Sequence, residues 1–333
     1  MTGKAVAPHA GTRLSLMLPT FLAEAPKSWD FLRAITVAAD EAGIDRALVP
    51  DHVAFGERLD DYGRPELGGR SGGQQPTGPD GHYLEPLIVL SYLASITSRI
   101  RLGTNILLAA LRRPVVLAKQ AASLDALSGG RLELGVGVGW QRAEYEAAGL
   151  DFSERGGLLD HTLDVCLALW RHDSAEYHSS YLDFTGIHQM PKPVQPGGVP
   201  LWIGGTVHRR VVARVARAGL RWVPWGITAD VATAEVRRMR QALDAAGAEG
   251  SQLQVRMPLP VKITDGVLDL DGACANARRL VTAGVTDLML PPSLGWLAIG
   301  SDGVGPDYPS LDSVDVDAAA EWLRPLVTAL RAV

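Results

Sequence analysis

The ten residues RLELGVGVGW at 131–140 decide how the chain is read. Leu132, Leu134, Val136 and Val138 alternate with Glu133, Gly135, Gly137 and Gly139, which is the period of a β-strand. A dinucleotide fingerprint, G-x-G-x-x-G, needs a third glycine at 140 or 142, where Trp140 and Arg142 stand. No glycine precedes Lys-Ser or Lys-Thr, so a Walker loop is absent too. What remains is a strand end stripped of side chains. Such glycines let a flat ring or a phosphate approach the backbone, or they fit a crowded barrel interior.

Outward from this strand the same unit repeats. Strands begin near residues 14, 46, 100, 131, 201, 220, 253 and 285. Apolar residues at helical spacing follow them at 27–43, 85–96, 114–127, 155–170, 207–218, 229–246, 272–283 and 316–330. Alternation of this kind forces a parallel α/β sheet, and eight strand–helix units is the count of a (β/α)8 TIM barrel. A doubly wound sheet is the alternative; eight units without a break in composition favour closure. The expectation is therefore one barrel domain over residues 1–333 with insertions at 57–84, 171–200 and 291–314. The first and third follow a strand and precede a helix, which puts them on the C-terminal face of a barrel in a lid-like position. The second follows a helix and reads as an inserted hairpin and return loop.

Composition narrows the function classes. Hydrophobic residues make up 47% and charged ones 21%, which excludes disorder and collagen. With Lys+Arg 32 against Asp+Glu 37 the net charge is −5, so no basic field favours nucleic acid or anionic lipid. No apolar run of about 18 residues suggests a membrane span, and 1–13 lacks the apolar core of a secretory signal, so a cytoplasmic location is expected. Cys166 and Cys274 are far apart, and Cys166 reads as a buried thiol.

Two further strand ends carry chemistry-bearing residues. Asp51-His52 follows the second strand, where a histidine is a natural proton carrier and a neighbouring carboxylate can orient a ring. Ile203-Gly204-Gly205-Thr206 ends the fifth strand and opens a helix, which leaves backbone N–H groups and a hydroxyl for an anion or forms a simple capped turn. Gly69-Arg-Ser-Gly-Gly73 matches the nucleophile elbow in letters only, because no apolar strand precedes it. No histidine pair has metal-ligand spacing, so no metal is expected.

The ordered set formed by Arg99-Ile-Arg-Leu-Gly-Thr-Asn-Ile-Leu107, residues 113–140, Asp51-His52, Glu144-Tyr145, Pro191-Lys-Pro-Val194 and Leu201-Trp-Ile-Gly-Gly-Thr206 closely resembles the bacterial luciferase-like superfamily of flavin- or deazaflavin-dependent oxidoreductases. The likeness covers roughly residues 14–226 and continues beyond them only as barrel rhythm. It implies a ring cofactor at the C-terminal mouth, backed by a non-proline cis peptide at Asn105-Ile106 and flanked by Gly137 and Gly139. Gly204, Gly205 and Thr206 would bind its phosphate. The pattern is more similar to the branch that uses coenzyme F420 than to the FMN-dependent two-component monooxygenases, which take reduced FMN from a separate reductase and consume oxygen. A non-catalytic flavin-binding barrel is a further alternative. For the F420 branch, the resemblance implies hydride transfer at the deazaflavin with a small organic substrate. His52 would then be acid or base, Asp51 a cofactor contact, and Tyr83, Trp140 and Trp296 an apolar substrate pocket. Glu144 reads as a structural carboxylate. Trp140 stands where the family's sugar-phosphate dehydrogenases carry a proton-donating glutamate, which disfavours that substrate. A homodimer through helices near strands two to four is expected from the family alone.

Overall fold

The computed structural model describes residues 11–301 and 314–333. Eight parallel strands close into a barrel: β1 (Arg13–Met17), β2 (Arg46–Val49), β3 (Arg101–Leu107), β4 (Leu132–Val136), β5 (Leu201–Gly205), β6 (Arg221–Pro224), β7 (Gln254–Pro258) and β8 (Asp287–Leu290). They follow one another around the ring in chain order, and β1 closes it by pairing with both β2 and β8. β1 and β5 therefore stand on opposite sides of the mouth. The architecture is the (β/α)8 barrel expected from the strand–helix rhythm.

The helices are α1 (Asp30–Ala42), α2 (Pro86–Ile96), α3 (Pro114–Leu127), α4 (Arg142–Ala147), α5 (Arg155–Arg171), α6 (Arg209–Arg217), α7 (Ala232–Ala245), α8 (Leu270–Thr282), α9 (Pro292–Ala298) and α10 (Val316–Arg331). Local chemistry sets their ends. α1 stops at Gly43, whose φ of 88° is open to glycine and whose N–H returns to the last turn. α2 begins with Pro86 after Glu85, whose carboxylate accepts the Ile88 N–H at 2.9 Å. Their apolar faces bury Leu32, Ile35, Leu90 and Leu93 against the barrel, each fully buried side chain of this size contributing about 1.5–3 kcal/mol. No helix among the described residues is long and apolar enough to cross a membrane.

Beneath the mouth the barrel holds a charged layer. Glu133 on β4 accepts from Arg46 Nε at 2.9 Å, Trp202 Nε1 at 2.9 Å and Arg101 Nε at 2.5 Å. Asp287 on β8 accepts from Arg256 Nε at 2.8 Å and the Ser15 hydroxyl at 2.6 Å. The Arg256 guanidinium lies 4.0 Å over the Trp202 ring. Burial alone would raise the Glu133 carboxyl, yet Arg46, Arg101 and Arg256 hold it well below the usual carboxylate range.

The three inserted segments differ in character. Residues 57–84 contain two short 3-10 turns and end in His82–Tyr83, which pairs antiparallel with Phe21–Leu22. Residues 171–200 carry the antiparallel hairpin Ala175–His178 with Asp183–Ile187. The segment 291–314, expected as an irregular lid, instead opens with α9, whose Leu294 and Trp296 are buried in the core; its residues 302–313 lie outside the described residues. Proline at the first helical position, read from sequence as a loop, here starts a helix.

Candidate active site at the barrel mouth

β3 ends in a cis peptide between Asn105 and Ile106. The half-buried Ile106 side chain lies at the end of β3 against Gly137 of β4 and Gly204 of β5. A Cβ on Gly137 would collide with Ile106 Cδ1, and one on Gly204 would lie 3.4 Å from two Ile106 carbons. At Gly139 it would meet Leu108 Cδ2 at 2.9 Å, and at Gly205, with φ 145°, Val211 Cγ2 at 2.8 Å. The space that the sequence suggested for a cofactor is thus taken, at Gly137 and Gly139, by the chain's own Ile106 and Leu108. Asn105 Oδ1 is buried with no hydrogen-bond partner, an unusual expense for an acceptor.

The end of β2 delivers His52 beside Glu144 of α4. His52 Nδ1 lies 3.1 Å from Glu144 Oε2, and Glu144 Oε1 accepts the Val53 N–H at 2.5 Å and the Ala54 N–H at 3.4 Å. The Glu144 side chain has no solvent exposure, and the imidazole retains 11%. A carboxylate that already accepts two backbone N–H groups wants a donor at its other oxygen, so the His52 proton belongs on Nδ1. Nε2, with no partner among the described residues, is then the ring's free acceptor. The sequence reading made Glu144 structural; the structure joins it to His52 across 92 positions of chain.

Asp51, expected against the cofactor, has other partners. Its fully buried carboxylate accepts from Arg112 Nη1 at 2.6 Å, Arg112 Nη2 at 3.1 Å and the Leu108 N–H at 2.8 Å. Arg112 also reaches Glu85 at 2.9 Å, so this ion pair ties the ends of β2 and β3 to the start of α2. With both oxygens engaged, Asp51 serves as a strut below His52.

Around His52 the mouth is walled by rings. Phe21 stacks on Tyr83 at 5.2 Å and meets the His52 ring edge-on at 6.0 Å. Phe55 lies 4.4 Å from His52 and 5.1 Å from Tyr83, and Trp140 stands 6.0 Å from His52 on another side. Tyr62 continues the wall at 5.2 Å from Trp140 and 5.8 Å from Trp225. Trp225 Nε1 in turn donates to the Gly68 and Gly69 carbonyls at 3.2 and 3.1 Å, fastening the 57–84 segment over the mouth. Of the three aromatics expected to line a pocket, Tyr83 and Trp140 are in this wall. Trp296 is on α9, 4.7 Å from Phe31 of α1 in the core. Sequence reasoning missed Phe21, Phe55, Tyr62 and Trp225; the available signal was that Phe21, Phe55 and Trp225 each lie within a few residues after a barrel strand.

Across the mouth, β5 ends in Gly204-Gly205, and Thr206 is exposed. α6 starts at Arg209, later than the sequence suggested, with no side chain capping its N–H groups and no acid in its first turn. His208, Arg209, Arg210 and Ala213 line a cleft of about 590 Å³ there. Burial, then the charges of Arg214 and Arg210, push the His208 imidazole below its ordinary value. Among the described residues no three His, Cys, Asp or Glu side chains gather as a metal centre would require.

With this geometry in place, the comparisons with known proteins are direct. The model of the luciferase-like monooxygenase family matches residues 10–281. The uncharacterized protein Rv0940c of Mycobacterium tuberculosis is 28% identical over 277 residues, 80% of this chain and 87% of its own length. Two solved structures share the fold. An F420-dependent secondary alcohol dehydrogenase has a TM-score of 0.69 at 15% identity, over 96% of this chain and 99% of its own. The FMN-bound oxygenating constituent of 3,6-diketocamphane monooxygenase from Pseudomonas putida has a TM-score of 0.65 at 14% identity, over 90% and 99%.

Proposed function

The chain belongs to the luciferase-like monooxygenase family, and on that premise we propose that it is an oxidoreductase that binds coenzyme F420 and exchanges a hydride with a small organic substrate. The observation that carries the cofactor choice is the cleft of His208, Arg209 and Arg210 beyond the β5 turn. A single phosphate needs a helix N-terminus; Arg209 and His208 beyond it, with Arg210 shared with Asp160 of α5 at 3.7 Å, suit the longer anionic tail of F420. The residues present fit such a group: Gly205 admits no larger residue without meeting Val211, Thr206 and the free N–H groups of α6 face an anion, and the buried Asn105 Oδ1 lacks a donor that a ring N–H provides. The likeness to an F420-dependent dehydrogenase agrees with this choice, and the likeness to an FMN complex keeps FMN as the second reading.

Bound there, a deazaflavin supplies the hydride donor or acceptor. The protein does the rest. Ile106 would support the ring, Gly204 to Arg210 would hold the anionic tail, and His52, held by Glu144, would take a proton at Nε2 from a substrate oxygen or nitrogen when the substrate is oxidised, or return it on reduction. Titration of the purified protein with F420 and FMN, followed by fluorescence quenching, tests the cofactor. F420 binding with weak or no FMN binding is expected. Tight FMN binding without F420 overturns it and favours the two-component monooxygenase, which oxygen consumption with reduced FMN then checks; binding neither refutes both. The same reading includes a homodimer: α2 exposes Ile88 (72%) and Tyr92 (45%) one turn apart, and neighbouring α3 exposes Val116 (54%).

A further inference from the structure

We infer that the substrate is an uncharged, flat ring compound that seats against Phe21, Phe55 and Tyr83 and turns a polar edge to His52. The inference rests on the proposed cofactor position, because the two must share the mouth. The cleft is lined by residues at the start of α6, the helix that follows β5, and Phe21 follows β1, directly opposite β5 in the ring of strands. A cofactor anchored beyond β5 would extend over Ile106, which packs against Gly204, and would leave the β1–β2 side to its reaction partner.

That side has an unusual composition. The chain holds only 8 Trp, 7 Tyr and 5 Phe, yet Phe21, Phe55, Tyr83, Tyr62, Trp140 and Trp225 form one continuous series around His52. All except Trp140 are half-buried, and none of those five is among the rings packed against the hydrophobic core. Rings in a protein interior serve packing; rings left half open at a cleft present faces and edges to a ligand. Their mutual geometry selects the ligand's shape. Phe21 and Tyr83 are nearly parallel, at 12°, and Phe55 stands at 70° to Tyr83, so the wall offers both a face and an edge to a further planar ring.

Charge selects against ions. Asp51 is neutralised by Arg112, Glu144 is enclosed by His52 and two backbone N–H groups, and Arg70 lies 5.4 Å over the Tyr62 ring, at the far end of the series from Phe21. A ligand carboxylate or phosphate against Phe21, Phe55 and Tyr83 would lose water and gain no paired cation, a cost that a neutral hydroxyl or carbonyl avoids.

The test uses matched probes on the intact protein: 2-naphthol, 2-naphthoate and glucose 6-phosphate, titrated calorimetrically with and without saturating F420. The expected result is that 2-naphthol binds at least about ten-fold more tightly than either anion, and that Phe55→Ala and Tyr83→Ala each weaken it by about ten-fold. Phe55→Leu, which keeps an apolar side chain, recovers part of the loss. Because Tyr83 lies in a two-residue edge ribbon, its variant keeps the question open to refutation even if Phe55→Ala fails to fold. Equal or tighter binding of 2-naphthoate or glucose 6-phosphate overturns the inference, as does 2-naphthol affinity unchanged in both alanine variants. F420 binding without 2-naphthol binding defeats the substrate class alone, and 2-naphthol binding without F420 binding defeats the cofactor reading alone.

Discussion

Replacing Glu144 by glutamine changes one atom and reverses one hydrogen bond. The carboxylate now accepts from His52 Nδ1, Val53 N and Ala54 N. In Glu144→Gln the amide oxygen keeps the two backbone donors and the NH₂ group is turned toward His52 Nδ1. Two donors then face each other unless the imidazole moves its proton to Nε2, the atom that the proposed mechanism leaves free to accept one from the substrate. Hydrogen bonds to a charged group contribute about 1.5–3 kcal/mol, so losing this one should lower unfolding free energy by about that amount. Turnover should fall by about 10²-fold, the usual worth of a positioned acid or base, with F420 affinity changed by less than about two-fold. Steady-state kinetics with a turned-over substrate, combined with His52→Asn in a double-mutant cycle, read the coupling. If Glu144 acts through His52, the double variant is no slower than His52→Asn alone. Multiplicative losses, or a Glu144→Gln enzyme with unchanged turnover, would refute the coupling.

Other outcomes follow from the barrel interior and the surface. Glu133→Gln should cost about 3–5 kcal/mol in chemical denaturation, since it leaves the buried Arg46 and Arg256 undercompensated. Because the folded protein holds the Glu133 carboxyl below its unfolded value, that group's stabilisation is complete above the ordinary carboxylate range and is lost as pH falls toward the lowered folded value; the variant's denaturation midpoint should be correspondingly less acid-sensitive. Gly137→Ala should destabilise by about 1–3 kcal/mol through overlap with Ile106, and Ile106→Ala should recover part of it, as thermal unfolding of the pair would reveal. If the chain forms the proposed homodimer, Ile88→Glu should shift it to monomer in light scattering at micromolar concentration, with the far-UV spectrum unchanged; an unaltered dimer would place the interface elsewhere, and a monomeric parent would refute the dimer itself.

Much of the fold was legible because a barrel repeats its own signal. Each strand from Arg13 to Leu290 is a short apolar run, and each long helix carries its apolar stripe, so the eight units could be counted without knowing any contact. The misses are residues whose local chemistry points elsewhere. α4 is six residues rich in charge, too short for a helical period, and α9 begins with proline and contains Gly295, where a Cβ would come within 3.0 Å of Ile35. At the site, Asp51 and His52 could be located by their place after β2, but their partners could not: Arg112 and Glu144 are far along the chain, and ion pairing leaves no spacing to read. The glycines of β4 were visible and their partner was not. Only the three-dimensional structure identifies Ile106 as what fills the space beside Gly137.

The hydrogen bonds from Trp225 end on main-chain oxygens. Such a tether reads no side chain of the segment that it holds beyond the glycine backbone at 68 and 69, where Gly68 has φ 98° and a Cβ on Gly69 would strike the Tyr62 carbonyl. The segment is thereby divided into a half fixed to β6 and a mostly exposed half at 71–81. Apart from Gly73, where a Cβ would lie 2.8 Å from the Tyr62 carbonyl oxygen, and the buried Thr77, that outer half is open to changes that leave the wall around His52 in place, which makes it a practical graft point for a spectroscopic label beside the mouth.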